Sequence, residues 1–231
     1  MPINWLLGTR ACARPAEVLD HNEPLTPCGN GLSTGIGFAT IDDIDRIHAD
    51  TRATALLSLQ SQQCRVHFGI DYLEHRAHGE RSQLAMVNTP MLDFDPPDQR
   101  RNLPLAVRSL QDLLAAGHNV YLHCTAGCNR APLTALGYLT FVEMQPPETA
   151  VARIREARPQ ADPSWEAYQG CRDDLVDMLR GNIMVRAYYL SQEHPEAPAE
   201  AHWARAESEM IRAAFVNDHA PTRWRLDPSR E

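Results

Sequence analysis

The chain has 231 residues, 43% hydrophobic and 23% charged, with a formal net charge of −8. That suits one globular domain with extensions and argues against nucleic acid or an anionic membrane as a general partner. All 22 basic residues are arginine, and the absence of lysine excludes Walker-type nucleotide loops, protein-kinase chemistry and Schiff-base catalysis, each of which needs one.

The opening "MPINWLLGTRACARP" lacks a basic stretch followed by an apolar core, so no secretory signal is expected. The first forty residues are rich in Pro, Gly and Asn and read mostly as irregular structure. A short helix follows over "TIDDIDRIHAD", with Thr40 as N-cap and Asp42 and Asp43 in its first turn. "TALLSL" (54–59) reads as a buried strand, "GIDYLEHRAHGERSQ" as a helix, and "AMVNTPML" (85–92) as a second strand. The acids and prolines of "DFDPPDQRRN" predict a surface loop. From Leu103 the apolar residues follow a helical stripe that Gly117 ends. "NVYLHC" is then a short strand, and Pro132 suits the first turn of a helix over "APLTALGYLTFVEM". Further helices are expected over "PETAVARIREAR", "PSWEAYQGCRDDLVDMLRG" and "HWARAESEMIRAAF", the last after a linker beginning at "QEHPEAPAEA". No apolar run approaches the roughly 18 residues of a membrane span. Strands alternating with helices imply an α/β fold with a mostly parallel central sheet flanked by helices.

The chemistry concentrates in "YLHCTAGCNRAP", residues 121–132. A tight loop between a strand and a helix N-terminus turns successive backbone N–H groups inward and makes an anion nest, reinforced by the helix dipole. Gly127 lets the backbone turn, Asn129 tolerates positive φ, and Arg130 offers two phosphate oxygens a planar fork. A cysteine at the mouth of such a nest, here Cys124, is a nucleophile held as thiolate, and His123 sits where its ring holds the loop's shape. Phosphoryl transfer from sulfur also needs an acid for the leaving oxygen, preferably on a nearby loop. Asp93, Asp95 and Asp98 in "LDFDPPD" are the candidates.

"HCTAGCNRAP" resembles the active-site loop of the cysteine-dependent dual-specificity phosphatases, and within them is most similar to the glucan phosphatases of the plant starch and laforin type. The likeness extends through "LSLQS", "FGIDYLEHR" and "LDFDPPDQRRNLPLAV", and more weakly to "HWARAESEMIRAAF". It implies a dual-specificity-phosphatase-like domain over residues 31–182, an irregular segment over 1–30, and a C-terminal helical extension with tail over 183–231 that packs on the catalytic domain. It assigns Cys124 as nucleophile, Arg130 as phosphate clamp and Asp93 as general acid. Thr125, Ala126, Gly127, Cys128, Asn129 and Arg130 form the phosphate cradle, which would hold a phosphate or sulfate anion. Phe94 and Phe68 are implied substrate-binding aromatics, and Ala131, where most dual-specificity phosphatases have Ser or Thr, is the glucan-type residue. Two positions depart from the pattern: Asn129 replaces the glycine before the arginine, and Cys128 stands where a non-cysteine is usual.

The implied substrate is a phosphorylated glucan, or alternatively a phosphoprotein. No cofactor or metal is called for, because the nest and Arg130 supply the positive potential. The other classes weighed are a phospho-ligand-binding module, which has no need of a thiolate, and a rhodanese-like sulfurtransferase or arsenate reductase, disfavoured by the aspartate loop and the Ala-Pro after Arg130. Trp165, Tyr168, Trp203 and Trp224 read mainly as packing residues. His75 and His78, beside Glu74 and Glu80, read as a solvated polar segment in preference to a metal site. The scattered cysteines suggest reduced thiols in the cytoplasm, with Cys128 or Cys64 as possible disulfide partners of Cys124.

Overall fold

The computed structural model describes residues 5–7, 32–35 and 40–217; the 1–30 segment, its two cysteines and Trp224 lie wholly or largely outside them. Five strands form one sheet in the order β1 (Trp5–Leu7), β2 (Leu32–Gly35), β5 (Val120–His123), β3 (Ala55–Gln60), β4 (Ala85–Met91). Every pairing is parallel. The side chains of β3 and β5 are buried along their whole length, as expected of strands covered on both faces.

Local chemistry sets the helix starts. In α1 (Ile41–Thr51) the Thr40 hydroxyl accepts from the Asp43 amide at 3.3 Å while the Asp43 carboxylate accepts from the Thr40 amide at 3.1 Å, a reciprocal capping box. α3 (Tyr72–Arg81) is capped by Asp71. Between β3 and α3 lies a helix the sequence reading did not foresee, α2 (Gln62–Phe68), capped by Ser61 and ended by Gly69 at φ 64°. None of its residues is buried, so it carries no apolar stripe to read.

The expected loop over 93–102 is largely helical. Asp95 caps α4 (Pro96–Ala115), and Pro96 and Pro97 occupy its first positions. Proline is welcome there because its missing N–H is one the helix leaves unpaired anyway. The helix after Cys124 is also subdivided: α5 (Arg130–Gly137) passes into a π-helical turn, Tyr138–Val142. α6 (Pro147–Ala157) follows, then α7 (Trp165–Glu193) and α8 (Ala199–Val216). α7 runs unbroken past 182, and one hydrophobic core joins β3, β5, α4 and α5 to Ile211 and Phe215 of α8. Among the described residues no helix is long and apolar enough to cross a membrane.

In a parallel sheet all carboxyl ends lie on one edge, where α/β proteins place their ligands. Here the segments leaving β3, β4 and β5 at that edge carry Cys64, Asp93 and Cys124.

Candidate active site

Cys124 follows directly on β5 and is buried. Its Sγ accepts a hydrogen bond from the Gly127 amide at 3.2 Å, and Gly127 has φ 66°, the left-handed region that glycine enters at no steric cost. The loop thus curls back on its own sulfur, and a thiolate there gains a charge-assisted bond. His123, completely buried, places Nδ1 3.2 Å from the Cys124 carbonyl oxygen. Burial pushes its pKa down to about 4, and the nearby Arg130 charge adds to the effect, so the ring is neutral near pH 7.

Arg130 opens α5 and is fully buried. Its Nη1 donates to the carbonyl oxygens of Leu59 at 3.3 Å and Met91 at 3.1 Å, and to Cys64 Sγ at 3.3 Å. These anchors come from β3, β4 and α2. The register of β3 on β4 slips between Ser58 and Gln60, and the Asn88 side-chain amide donates to both of those carbonyls, at 2.9 and 3.2 Å. The Leu59 carbonyl between them is taken by Arg130. With Nη1 committed, Nη2 donates to Thr125 Oγ1 at 3.0 Å and pairs with Asp93 Oδ2 at 3.0 Å, while Nε has no hydrogen-bond partner. The Nε–Nη2 edge is the pair of donors suited to two phosphate oxygens.

The structure separates the three candidate acids. Asp95 Oδ1 accepts from the Asp98 amide at 2.9 Å as the α4 cap, and Asp98 Oδ2 accepts from the Leu92 amide at 2.7 Å. Asp93 alone reaches Arg130, with a third of its side chain exposed. Phe94 beside it has φ 51° and is 74% exposed. A bulky residue held there is strained, a state that gathers at functional loops. Phe68, at the end of α2, is 43% exposed. The two phenylalanines therefore present ring surface to solvent. Tyr168 is buried instead, stacked on Phe141 at 5.4 Å, and Trp165 packs edge-on against it at 5.5 Å. Trp203 packs against the apolar side of α7.

Asn129, the departure from glycine, is a brace. Gln99 Nε2 of α4 donates to its Oδ1 at 2.8 Å, and its Nδ2 donates to the Asp162 carbonyl at 3.0 Å. Cys124, Cys64 and Cys171 are free thiols, so Cys124 is joined to neither Cys128 nor Cys64. Cys128 is disulfide-bonded, which departs from the expectation of reduced thiols. Burial pushes the Cys64 thiol up, but hydrogen bonds with Ser61, Thr125 and Arg130 outweigh it and leave the pKa lowered.

The sequence reading named Cys64 only as a disulfide partner and missed it as a neighbour of Arg130. It also missed Gln99 and Arg158, whose Nη2 donates to the Ala126 carbonyl of the loop at 2.7 Å. Contacts spanning thirty residues leave no local signal. His75 is buried, not solvated as expected, and His78 pairs with Asp45 at 2.7 Å. Among the described residues no group of His, Cys, Asp and Glu is arranged to hold a metal ion.

No family model matches the chain. Over 108 residues, 47% of its length, it is 32% identical to the phosphoglucan phosphatase LSF1, chloroplastic, of Arabidopsis thaliana, of which the match covers 18%. Over 156 residues, 67% of its length, it is 26% identical to the phosphoglucan phosphatase DSP4, amyloplastic, of Castanea sativa, of which 41% is covered. The chain thus spans less than half the length of both relatives. Among solved structures, Tk-PTP in its active form aligns with a TM-score of 0.51 at 18% identity, covering 63% of this chain and 91% of that one. Kinase associated phosphatase, with its catalytic-site cysteine replaced by serine, gives 0.51 at 16% identity, covering 67% and 86%. In sequence the chain is similar to plant phosphoglucan phosphatases, and its fold is that of the cysteine-dependent dual-specificity and protein tyrosine phosphatases.

Proposed function

We propose that the protein hydrolyses phosphate monoesters through a phosphocysteine intermediate and that its substrate is a phosphorylated glucan. The observation that carries the reaction is the convergence of Cys124, Arg130 and Asp93: a sulfur beside a loop amide, a buried guanidinium whose Nε has no hydrogen-bond partner, and a carboxyl group at the adjoining Nη2.

The Arg130 edge and the loop amides bind the phosphoryl oxygens and neutralise the charge that spreads over them in the transition state. The Cys124 thiolate attacks phosphorus in line with the ester bond. As the S–P bond forms and the P–O bond breaks, protonated Asp93 gives its proton to the leaving oxygen. In the second half, the Asp93 carboxylate takes a proton from water. The water oxygen attacks phosphorus, the S–P bond breaks, and inorganic phosphate leaves with the thiolate restored. All charge stabilisation in this scheme comes from the chain's own groups.

The glucan assignment rests on the likeness to the two plant phosphatases, on Ala131–Pro132 after the clamp, and on the exposed Phe94 ring beside the acid. An exposed aromatic face next to a reactive centre suits stacking on the apolar face of a pyranose ring. This reading places the protein in carbohydrate metabolism.

Phosphate release from phosphorylated amylopectin and from a phosphotyrosine peptide, with Cys124→Ser as control, tests both parts. Release from amylopectin at least as fast as from the peptide, and abolished in the variant, is the expected result. Release from the peptide alone would keep the mechanism and transfer the substrate to phosphoproteins. Binding without release from either would make the protein a phospho-ligand-binding module.

A further inference from the structure

A second guanidinium lies under the phosphate loop. Arg158 follows α6 directly and has no exposed surface. Among the described residues the one hydrogen bond of its side chain runs from Nη2 to the Ala126 carbonyl at 2.7 Å, and its Nε and Nη1 have no hydrogen-bond partner. Among the described residues it has no carboxylate within ion-pair distance, unlike buried Arg130 with Asp93. A guanidinium stays protonated in a protein, so this is a buried cation without an acidic counter-ion. Such a group costs several kcal/mol unless something negative compensates it.

The neighbours narrow what that something is. Tyr121 of β5 is close enough to act on Arg158 electrostatically, but burial raises its phenol well above the usual range, so it is neutral. His123 is neutral for the same reason of burial. Arg130 is itself a cation, and Asp93 is already held by it. Cys64 sits against Arg130. Among the described residues the remaining group is Cys124, two positions from the Ala126 carbonyl that Arg158 holds; burial pushes the Arg158 guanidinium down from its ordinary value, and negative charge on Cys124 would push it back up.

The same segment holds the loop in shape. The Asp162 amide donates to the Cys128 carbonyl at 2.7 Å, and Arg158 takes the Ala126 carbonyl. With these two carbonyls engaged from behind, the loop amides are left to the sulfur and the anion.

We infer that Arg158 is a positioning residue of the phosphatase site, a buried second cation that fixes the Ala126 carbonyl and supports the negative charge at Cys124. The inference rests on the phosphatase reading for its turnover test but not for its thiolate test.

Arg158→Met keeps the volume and removes the charge; Arg158→Lys keeps the charge and loses the fork. In the full chain, two quantities are followed: the pH dependence of iodoacetamide alkylation at Cys124, located by peptide mapping, and turnover of para-nitrophenyl phosphate. In Arg158→Met the alkylation curve moves to higher pH by about 1 unit, the scale of one lost neighbouring charge. Turnover falls by roughly tenfold or more, short of the loss for a direct donor. The urea midpoint stays level or rises, because an apolar chain of similar volume removes the desolvation cost of a buried charge. Arg158→Lys leaves the alkylation curve in place. An unmoved curve in Arg158→Met, or a variant that unfolds outright, overturns the inference and makes Arg158 a packing residue. A moved curve in a protein that hydrolyses no phosphate ester sustains the inference and defeats the phosphatase reading alone.

Discussion

Arg130 commits Nη1 to the Leu59 and Met91 carbonyls, and Asp93 takes part of the remaining edge at Nη2. A phosphate oxygen arriving at Nη2 must displace the carboxylate, which is then released toward the leaving group. Asp93→Ala therefore has two effects of opposite sign. Loss of the acid lowers kcat for an aryl phosphate by about 10²–10⁴-fold. Loss of the competing anion tightens inhibition by inorganic phosphate; an ion pair one-third exposed is worth about 0.2–1 kcal/mol, or up to about fivefold in Ki. Steady-state kinetics with phosphate as inhibitor measures both, and a Ki that rises in the variant would show that Asp93 does not obstruct the clamp. That Cys124 and Arg130 share one loop between β5 and α5 was legible in the sequence because a strand, a nest and a helix start are neighbours along the chain. Choosing Asp93 over Asp95 and Asp98 needed the family resemblance, since three acids within six residues differ only in where the backbone aims them. Arg158 and Gln99 were not legible at all, because their meaning lies in contacts with residues about thirty positions away.

At the scale of elements, α4 and α5 cross closely over the face of the sheet and so fix the loop between β5 and α5. Gly137 of α5 allows the approach: a Cβ there would lie 2.7 Å from Val107 Cγ2 and 3.3 Å from Leu103 Cδ1. Gly137→Ala forces those side chains apart and is expected to cost about 1–3 kcal/mol. Gly181, in the middle of α7, meets nothing within 4 Å, so Gly181→Ala adds helix propensity without a clash and stabilises by about 0.5–1 kcal/mol. Urea unfolding of the two variants checks the contrast; destabilisation by both would mean that α7 needs the glycine for a reason other than space. The helical stripe of α4 after Leu103 was read correctly because its face is buried, whereas α7 was ended at Gly181 though it continues to Glu193. The start of α4 was misread because consecutive prolines look like a loop until an N-cap is seen in front of them. α2 was invisible because it buries no face.

Across the whole molecule, the C-terminal helices are part of the core that carries the catalytic strand. Phe215 of α8 is fully buried and stacks on Phe141 of the π-helical turn at 5.9 Å, and Phe141 stacks in turn on Tyr168 of α7. Ion pairs between Arg172 and Glu207, and between Arg186 and Glu209 at 2.6 Å, tie α7 to α8 along their length. A hydrogen bond from Arg212 to the Val142 carbonyl, at 3.1 Å, holds α8 to the same turn. These part-exposed pairs contribute little each; the buried rings dominate. Phe215→Ala is expected to cost about 3–5 kcal/mol, which in a domain of this size lowers Tm by on the order of 10 °C. Its active-site groups are untouched, so turnover per folded molecule at low temperature stays at the wild-type level. Thermal unfolding followed beside aryl phosphate turnover separates the two quantities. A Tm shift of a degree or two would make α8 an appendage on a self-sufficient catalytic domain. A full shift would mean that the sheet, the phosphate loop and α8 unfold as one unit, so that removing α8 takes the active site with it.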